Sequence, residues 1–410
     1  MTLRRTAAVL SALVSLAAAT ARGDVVTDWN QTTFQMGLSQ PITRSLAMVH
    51  VAVFDAVNAI DPRYEPYAFH RRATTPTSPE AAVVGAAYGV LSRLYAGSPA
   101  LMTLLDAARA SSLATIADEP EKDAGLALGD AVAARAVASR AADNWLAPNP
   151  PYVPGSDPGE YQLTPPGFTA PINTGAASWL PFTLTSAGQF RSNGPPPLRS
   201  RRYARNVEEV AMLGAVDSIV RTPEQTQIAN WHVEQGQFSL NRIARTEAQA
   251  NGLDLLESAR LFALLNLALT DGVLSVFEAK YHYRSWRPVT AIRAADTDGN
   301  PETDADPDWL PLLTTPPHPE YPAAHAVVTG AGLEALKAVF GRHYGFTATS
   351  ATVPGVTRDF ESFDAFLEDV KVARIYGGIH FREAVEEGAR QGRRVGQWVV
   401  RRYLRPHRCD

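Results

Sequence analysis

The 410 residues contain one cysteine, Cys409, beside the C-terminus. An internal disulfide and a thiolate metal cluster are therefore both excluded, and an ordinary packed core must hold the fold. An excess of positive charge is also missing. Lysine and arginine number 38 against 42 aspartates and glutamates, a formal net charge of -4. Such a chain lacks the basic footprint of nonspecific nucleic-acid binding. Period-2 alternation of apolar and polar residues is scarce, so strands should be few. No short-period repeat is visible.

What the N-terminal stretch does have is the order of a secretory signal. Arg4 and Arg5 precede an apolar run from Ala7 to Ala19, followed by small residues at Ala19-Thr20-Ala21 and Ala21-Arg22-Gly23. This order predicts a cleavable signal over residues 1–23 and a secreted or periplasmic mature protein. The apolar run is short for a membrane span. Cleavage would remove Arg4, Arg5 and Arg22 and move the formal charge from -4 to -7.

Downstream, helical patterning dominates. Residues 45–60 are apolar on nearly every helical face, as in a central buried helix. Residues 80–146 are alanine-rich and break near Ser98-Pro99 and Glu119-Pro120. Between Leu146 and Arg202 lie twelve of the thirty prolines, which excludes regular helix there. Helical pattern returns from Tyr203, and Thr222-Pro223-Glu224 reads as a helix start. Residues 257–283 are strongly apolar but interrupted by Asn266 and Asp271, so a buried helix is expected rather than a stable membrane span. Helix resumes near His325 and again from about Asp364. The expected fold is all-α. Two helical bundles, residues 24–145 and 203–405, are joined by the Pro/Gly-rich connection 146–202.

Three segments carry chemistry. The first runs from Lys280 to Arg287-Pro288, the second from Tyr321-Pro322 to His325, and the third from Ala373-Arg374 through Gly377-Gly378 to His380. Arg287 precedes proline, so its backbone is biased away from helix and its side chain leaves a stiff corner. The second segment begins a helix whose first amides have no internal partner, a favourable place for an anion. Gly377-Gly378 permits a close turn before His380. Three cations and two histidines suit phosphate or a phosphate-like oxyanion. Singly, each of these residues also has a bland reading, as a solvated charge or a satisfied core histidine, and pattern alone leaves function open.

In order and spacing the three segments resemble the signature of the vanadium-dependent haloperoxidase and type 2 phosphatidic acid phosphatase superfamily. That signature is lysine, six residues, Arg-Pro; then Pro-Ser-Gly-His; then Ser-Arg, five residues, histidine. Lys280 and Arg287-Pro288 match the first part, Pro322 and His325 the second, Arg374 and His380 the third. Flanking residues such as Trp286 to Ile292 and Pro317 to Pro322 are similar to the bacterial haloperoxidase-like branch. The sequence departs from the signature at Ala323 and Ala373, where serine is usual, and at Ala324, where glycine is usual. Four residues after His380 the family often has aspartate; here Ala384 stands there, with Glu383 or Glu386 as candidate replacements for the orienting acid.

The resemblance implies one oxyanion site read in two ways. In the first, orthovanadate is the cofactor and His380 its ligand. Lys280, Arg287, Arg374 and the Ala324 amide hold its oxygens, and His325 is acid and base. The substrates are hydrogen peroxide and halide, with Lys280 polarising the peroxide. In the second, phosphate chemistry occupies the same site: His380 attacks a phosphoester, and His325 protonates the leaving alcohol. A third reading keeps the pocket as a non-catalytic anion site. Outside this constellation, His318 is expected at the entrance or capping a proline-rich turn. Trp286 and Phe381 are expected to wall the pocket, and His282 to point elsewhere. The acidic residues from Asp296 to Asp306 lack full calcium-loop spacing.

Overall fold

A computed structural model describes residues 24–37 and 41–407. Residues 1–23, where a signal is expected, and Cys409 lie outside the described residues. Among them are thirteen α-helices and one two-stranded sheet. The first five helices are α1 (Val25–Gln35), α2 (Ile42–Ile60), α3 (Pro79–Tyr95), α4 (Pro99–Leu113) and α5 (Pro120–Ser139). The last three of these begin with proline in the first turn, where its missing N–H costs nothing. After the connection come α6 (Arg201–Gly214), α7 (Pro223–Trp231), α8 (Gly236–Ala250), α9 (Leu255–Tyr283) and α10 (Pro288–Arg293). The last three are α11 (Ala324–Phe340), α12 (Phe363–Tyr376) and α13 (Arg382–Arg402). Capping boxes start α7 at Thr222/Gln225 and α9 at Asp254/Glu257, each satisfying two orphan donors. The strands β1 (Phe346–Thr349) and β2 (Thr357–Phe360) pair antiparallel.

α9 is the axis of the molecule, with α2, α11 and α13 packed around it. It is long and apolar enough to cross a membrane, yet its most apolar window is 89% buried inside the protein. Its two polar interruptions are bonded within that core. Asn266 exchanges hydrogen bonds with Asn241 of α8. Asp271 accepts the amides of Phe182, Thr183 and Leu184 at 2.8, 2.7 and 3.1 Å. A buried carboxylate needs such donors, and the need ties the proline-rich connection to the central helix. That connection contains only a 3-10 turn, Ala176–Ser178, yet it buries Tyr161, Trp179, Phe182 and Leu184.

α13 lies against α11 at very short range. A Cβ at Gly392 would fall 2.2 Å from the Val327 carbonyl, and one at Gly396 2.3 Å from that of Ala331. This close approach places the start of α13, and His380 just before it, beside the start of α11.

Candidate active site

The site forms where α9, α11 and α12 end or begin. Lys280, in the last turn of α9, is fully buried and donates from Nζ to the carbonyls of Pro319 and Glu320 at 2.7 and 2.9 Å. The helix stops at Arg284 in left-handed conformation, φ 51°. Arg287 then adopts the extended backbone expected before proline, φ -85° and ψ 157°. Its buried guanidinium has five partners for its five N–H groups. Nε donates to the His318 carbonyl (2.7 Å), and Nη1 to the Ile379 carbonyl (2.8 Å) and His380 Nε2 (3.2 Å). Nη2 donates to the Pro316 carbonyl (3.2 Å) and His318 Nδ1 (2.9 Å). Arg287 is therefore the post on which the 316–318 and 379–380 segments hang.

Arg374 ends α12. Its Nη2 donates to the His232 carbonyl at 2.6 Å, while its buried Nε has no partner in the protein. The chain turns at Gly377-Gly378, with Gly378 at φ 73°. There it approaches Gly214 so closely that a Cβ on Gly378 would lie 2.4 Å from the Gly214 carbonyl. This turn, anticipated from the glycine pair, delivers His380. Its Nδ1 meets Glu320 Oε1 at 2.9 Å, and the Phe381 amide donates to the same oxygen at 3.0 Å. Both contacts of His380 agree on one tautomer: the proton sits on Nδ1, and Nε2 carries the lone pair that faces Arg287.

Ala323 is the N-cap of α11 and offers no side-chain cap. The first intrahelical bond runs from Val327 N to Ala323 O, so the amides of Ala324, His325 and Ala326 precede it. His325 is partly buried, and its Nε2 is buried without a partner in the protein.

The electrostatics are one-sided. Burial, then repulsion from Arg287, pulls the Lys280 ammonium well below its usual range. Burial brings Arg287 and Arg374 each down to about 10, and Arg287 adds repulsion at Arg374. His380 and His325 are held well below the usual imidazole range by burial, then by Arg287 and Arg374 respectively. The carboxyl of Glu320 is pushed up to about 7 by burial, against the pull of Lys280 and Arg287. Two buried guanidiniums, with the Lys280 amine beside them, thus face the buried Glu320 carboxyl, and that carboxyl is engaged by His380.

Of the five residues singled out from the sequence, Arg287 and His380 are in direct contact, His325 and His380 line one cavity with Ala324, and Lys280 and Arg374 act electrostatically on both histidines. Two expectations need correction. Glu383 lies near Arg202 and Arg390 at the surface, and Glu386 pairs with Lys371, so neither orients His380; Glu320 does. Trp286 and Phe381 wall a separate cavity of about 40 Å³ behind Glu320, together with Tyr203. His318 lines the main cavity, the first role considered for it, and its Nδ1 accepts from Arg287 Nη2. His282 is exposed. In the acidic loop, Asp298 accepts from the Asn300 amide and the Thr303 hydroxyl, and Asn300 in turn donates to the Leu198 and Ser200 carbonyls. Glu320 could have been found in the sequence only by its place between Pro319 and Tyr321-Pro322.

Residues 260–408 match the family model of the VCPO second helical-bundle domain. Over 188 residues, 37% of this chain, the sequence is 28% identical to a vanadium chloroperoxidase from Curvularia inaequalis. That match spans 30% of the relative's length. The fold superposes on the crystal structure of a bacterial vanadium-dependent iodoperoxidase with a TM-score of 0.80 and 26% identity, covering 94% of this chain and 97% of that one. In sequence over residues 260–408 and in fold over most of its length, the chain is similar to vanadium-dependent haloperoxidases. The fold is shared further with an apo-type bacterial vanadium-dependent chloroperoxidase, at a TM-score of 0.69 and 17% identity over 88% of this chain and 92% of that one. Within the superfamily signature, this haloperoxidase-like chain keeps the charged residues and both histidines. It has exchanged three small polar or flexible residues for alanine at 323, 324 and 373.

Proposed function

We propose that this protein binds vanadate at the Lys280/Arg287/Arg374 centre and oxidises halide with hydrogen peroxide. The observation that carries the reading is the unbalanced charge. Buried cations without counter-ions are costly, and here two buried nitrogens, Arg374 Nε and His325 Nε2, also lack partners. An oxyanion with several oxygens answers both needs, so the residues present fit the group. When bound, vanadate would supply an electrophilic centre that activates peroxide toward halide.

The chain's own residues then divide the work. His380 offers Nε2 as the ligand, its tautomer fixed by Glu320 at Nδ1. That nitrogen now faces Arg287 Nη1 at 3.2 Å, so Arg287 would stand beside an anion held there. Arg374 contributes charge and its unpartnered Nε–H. Lys280 has two of its three donors fixed on carbonyls, leaving a third for the anion or for peroxide. The first-turn amides of α11, Ala324 among them, add donors and the positive end of a helix. His325 is neutral and carries an unpartnered Nε2, as a proton acceptor and donor beside the anion requires.

The experiment is a pair of assays on the purified protein after addition of orthovanadate. Halide oxidation with peroxide and bromide or iodide is expected. Turnover of a generic phosphoester without halide activity would replace this reading with the phosphatase one. His380→Ala should abolish tight vanadate binding. His325→Ala should keep much of the binding and reduce turnover by about 10²–10⁴-fold.

A further inference from the structure

We infer that a second, cationic pocket at the far end of α2 binds a small organic ligand through a phosphate or sulfate group. The inference stands apart from the vanadate reading and uses none of its residues.

The start of α2, at Ile42 and Thr43, lines the main cavity together with Trp145, Trp179, His325 and His380. The last turn of the same helix, at Asn58 and Ala59, lines a different cavity of about 210 Å³. No residue is common to the two linings. At 1.5 Å per residue, the two stretches of α2 are roughly 20–25 Å apart along the helix. An anion held in the second cavity is therefore out of reach of the oxyanion centre.

His70, Arg71, Arg72 and His407 line this second cavity, and none of its lining residues is Asp or Glu. All four are exposed, and none makes an ion pair among the described residues. Neighbouring arginines are different: Arg63 pairs with Asp61 and Asp254, and Arg405 with Glu65. In a chain that is acidic overall, four basic side chains without counter-ions are gathered around one hollow. Arginine is always charged and offers a planar fork to oxyanion oxygens, and each imidazole adds an N–H.

The fold fixes the backbone that carries these groups. Both carboxyl oxygens of Asp55 are used, accepting the amides of Tyr67, Ala68 and Phe69 at 2.7, 2.7 and 2.9 Å. Beyond the basic run, the Ala73 amide donates to the Ala59 carbonyl at 2.9 Å. His70, Arg71 and Arg72 are thus strung between two anchors. His407 arrives from the other end of the chain, its amide held by the Arg63 carbonyl at 3.0 Å. Donors reach the cavity from two separate segments. That arrangement suits a tetrahedral group, with oxygens in several directions, better than a flat carboxylate. Tyr64, Phe69 and Pro62 add apolar surface beside the charges. A phosphate or sulfate on an apolar body meets both kinds of wall, whereas the bare ion meets one.

The test titrates phenyl sulfate, phenylphosphonate, benzoate and inorganic sulfate into the full chain by calorimetry, with one equivalent of orthovanadate present. Phenyl sulfate or phenylphosphonate should bind, and the tighter of the two names the group. Benzoate and inorganic sulfate should each be weaker by about tenfold. The double variant Arg71→Ala/Arg72→Ala should weaken the bound probe by about tenfold or more. His407→Ala, on the other segment, should weaken it as well. These side chains are exposed, so both variants should melt with wild type. Benzoate or inorganic sulfate binding as tightly as the aryl probes overturns the ligand class. Wild-type affinity in the arginine variant, or in His407→Ala, overturns the pocket. A probe that excess orthovanadate displaces equally from wild type and both variants sits at the oxyanion centre, and that result also overturns the inference.

Discussion

Glu320 accepts from His380 Nδ1 at 2.9 Å and from the neighbouring Phe381 amide at 3.0 Å, so one carboxyl oxygen fixes both the tautomer and the backbone of the proposed vanadate ligand. The family's usual acid would have come from the first turn of α13, where Ala384 now stands. Here the acid arrives from the loop before α11, on a backbone that Lys280 grips through the Glu320 carbonyl. Partners of this kind commonly contribute 10–100-fold to metal affinity. Glu320→Ala should therefore weaken vanadate binding by about that factor, with Glu320→Gln, which keeps an acceptor, falling between. Calorimetric titration of the three proteins checks this. Wild-type affinity in the alanine variant would remove Glu320 from the site's machinery.

Arg287 makes five hydrogen bonds from one buried guanidinium. Lysine has three donors on a flexible stem and cannot reproduce that fork. At least two acceptors in the 316–318 and 379–380 segments would lose their partner. Arg287→Lys should cost about 2–4 kcal/mol of stability in the ligand-free protein, measured by denaturant unfolding. A change within error would show that these carbonyls find other donors.

Arg374 carries a buried charge with an unpartnered Nε, so its neutral replacement should separate stability from binding. In the wild type, orthovanadate or phosphate at a hundred times its Kd should stabilise the fold by about 2.7 kcal/mol, seen as a higher Tm. Arg374→Gln should melt no lower than wild type without anion, because an uncompensated cation has been removed. Its anion-induced shift should shrink at the same ligand concentration. An undiminished shift would place the anion away from Arg374.

The helical fold was legible because buried helices such as 45–60 and 257–283 announce themselves by composition, and prolines mark the starts of α3, α4, α5 and α7. The five charged and histidine residues were legible because the superfamily signature orders them. The orienting acid was not. Glu320 reaches His380 across sixty positions of chain, through a loop whose path is set by Lys280 and Arg287 holding its carbonyls, and local pattern has no access to such a path. Glu383 and Glu386 looked suitable by nearness in sequence, but the helical phase of α13 turns them toward Arg202, Arg390 and Lys371. Trp145 and Trp179 gave no signal either, since only the folded connection brings them over the site.

His50 of α2 gives the fold a defined acid sensitivity away from the site. Its Nε2 accepts from Asn30 Nδ2 at 2.8 Å, and its ring stacks on Phe262 at 5.2 Å. Burial, then Arg245, lowers its pKa from 6.5 to about 3. The folded state therefore holds the ring neutral where the unfolded chain would protonate it. Stability from this group is fully present above pH 6.5 and is lost as pH falls toward 3, by up to about 1.4 kcal/mol per pH unit. His50→Gln can keep the acceptor for Asn30 but does not titrate. Its stability should decline less steeply between pH 6.5 and 4 than that of wild type, by about one proton's slope. Parallel curves from urea unfolding over that range would show that His50 does not control the response.

Ala323 occupies the N-cap of α11, fully buried, with its amide held by the Ala384 carbonyl at 3.0 Å. Serine is the usual residue there in the superfamily, and the N-cap geometry gives its hydroxyl two roles that alanine cannot fill. The oxygen can accept from the His325 or Ala326 amide, a cap that contributes about 1 kcal/mol. The hydroxyl proton can then donate to an oxyanion at the helix start. Bonds to charged acceptors contribute about 1.5–3 kcal/mol, reduced here by ordering of the rotamer and loss of solvent, to about 1 kcal/mol or fivefold in affinity. Ala323→Ser should thus raise the stability of the ligand-free protein and, separately, tighten vanadate binding about fivefold. Unfolding curves report the first effect and calorimetry the second. A stabilised variant with unchanged affinity would mean that the hydroxyl caps the helix but does not face the anion, and that position 323 is outside the oxyanion site.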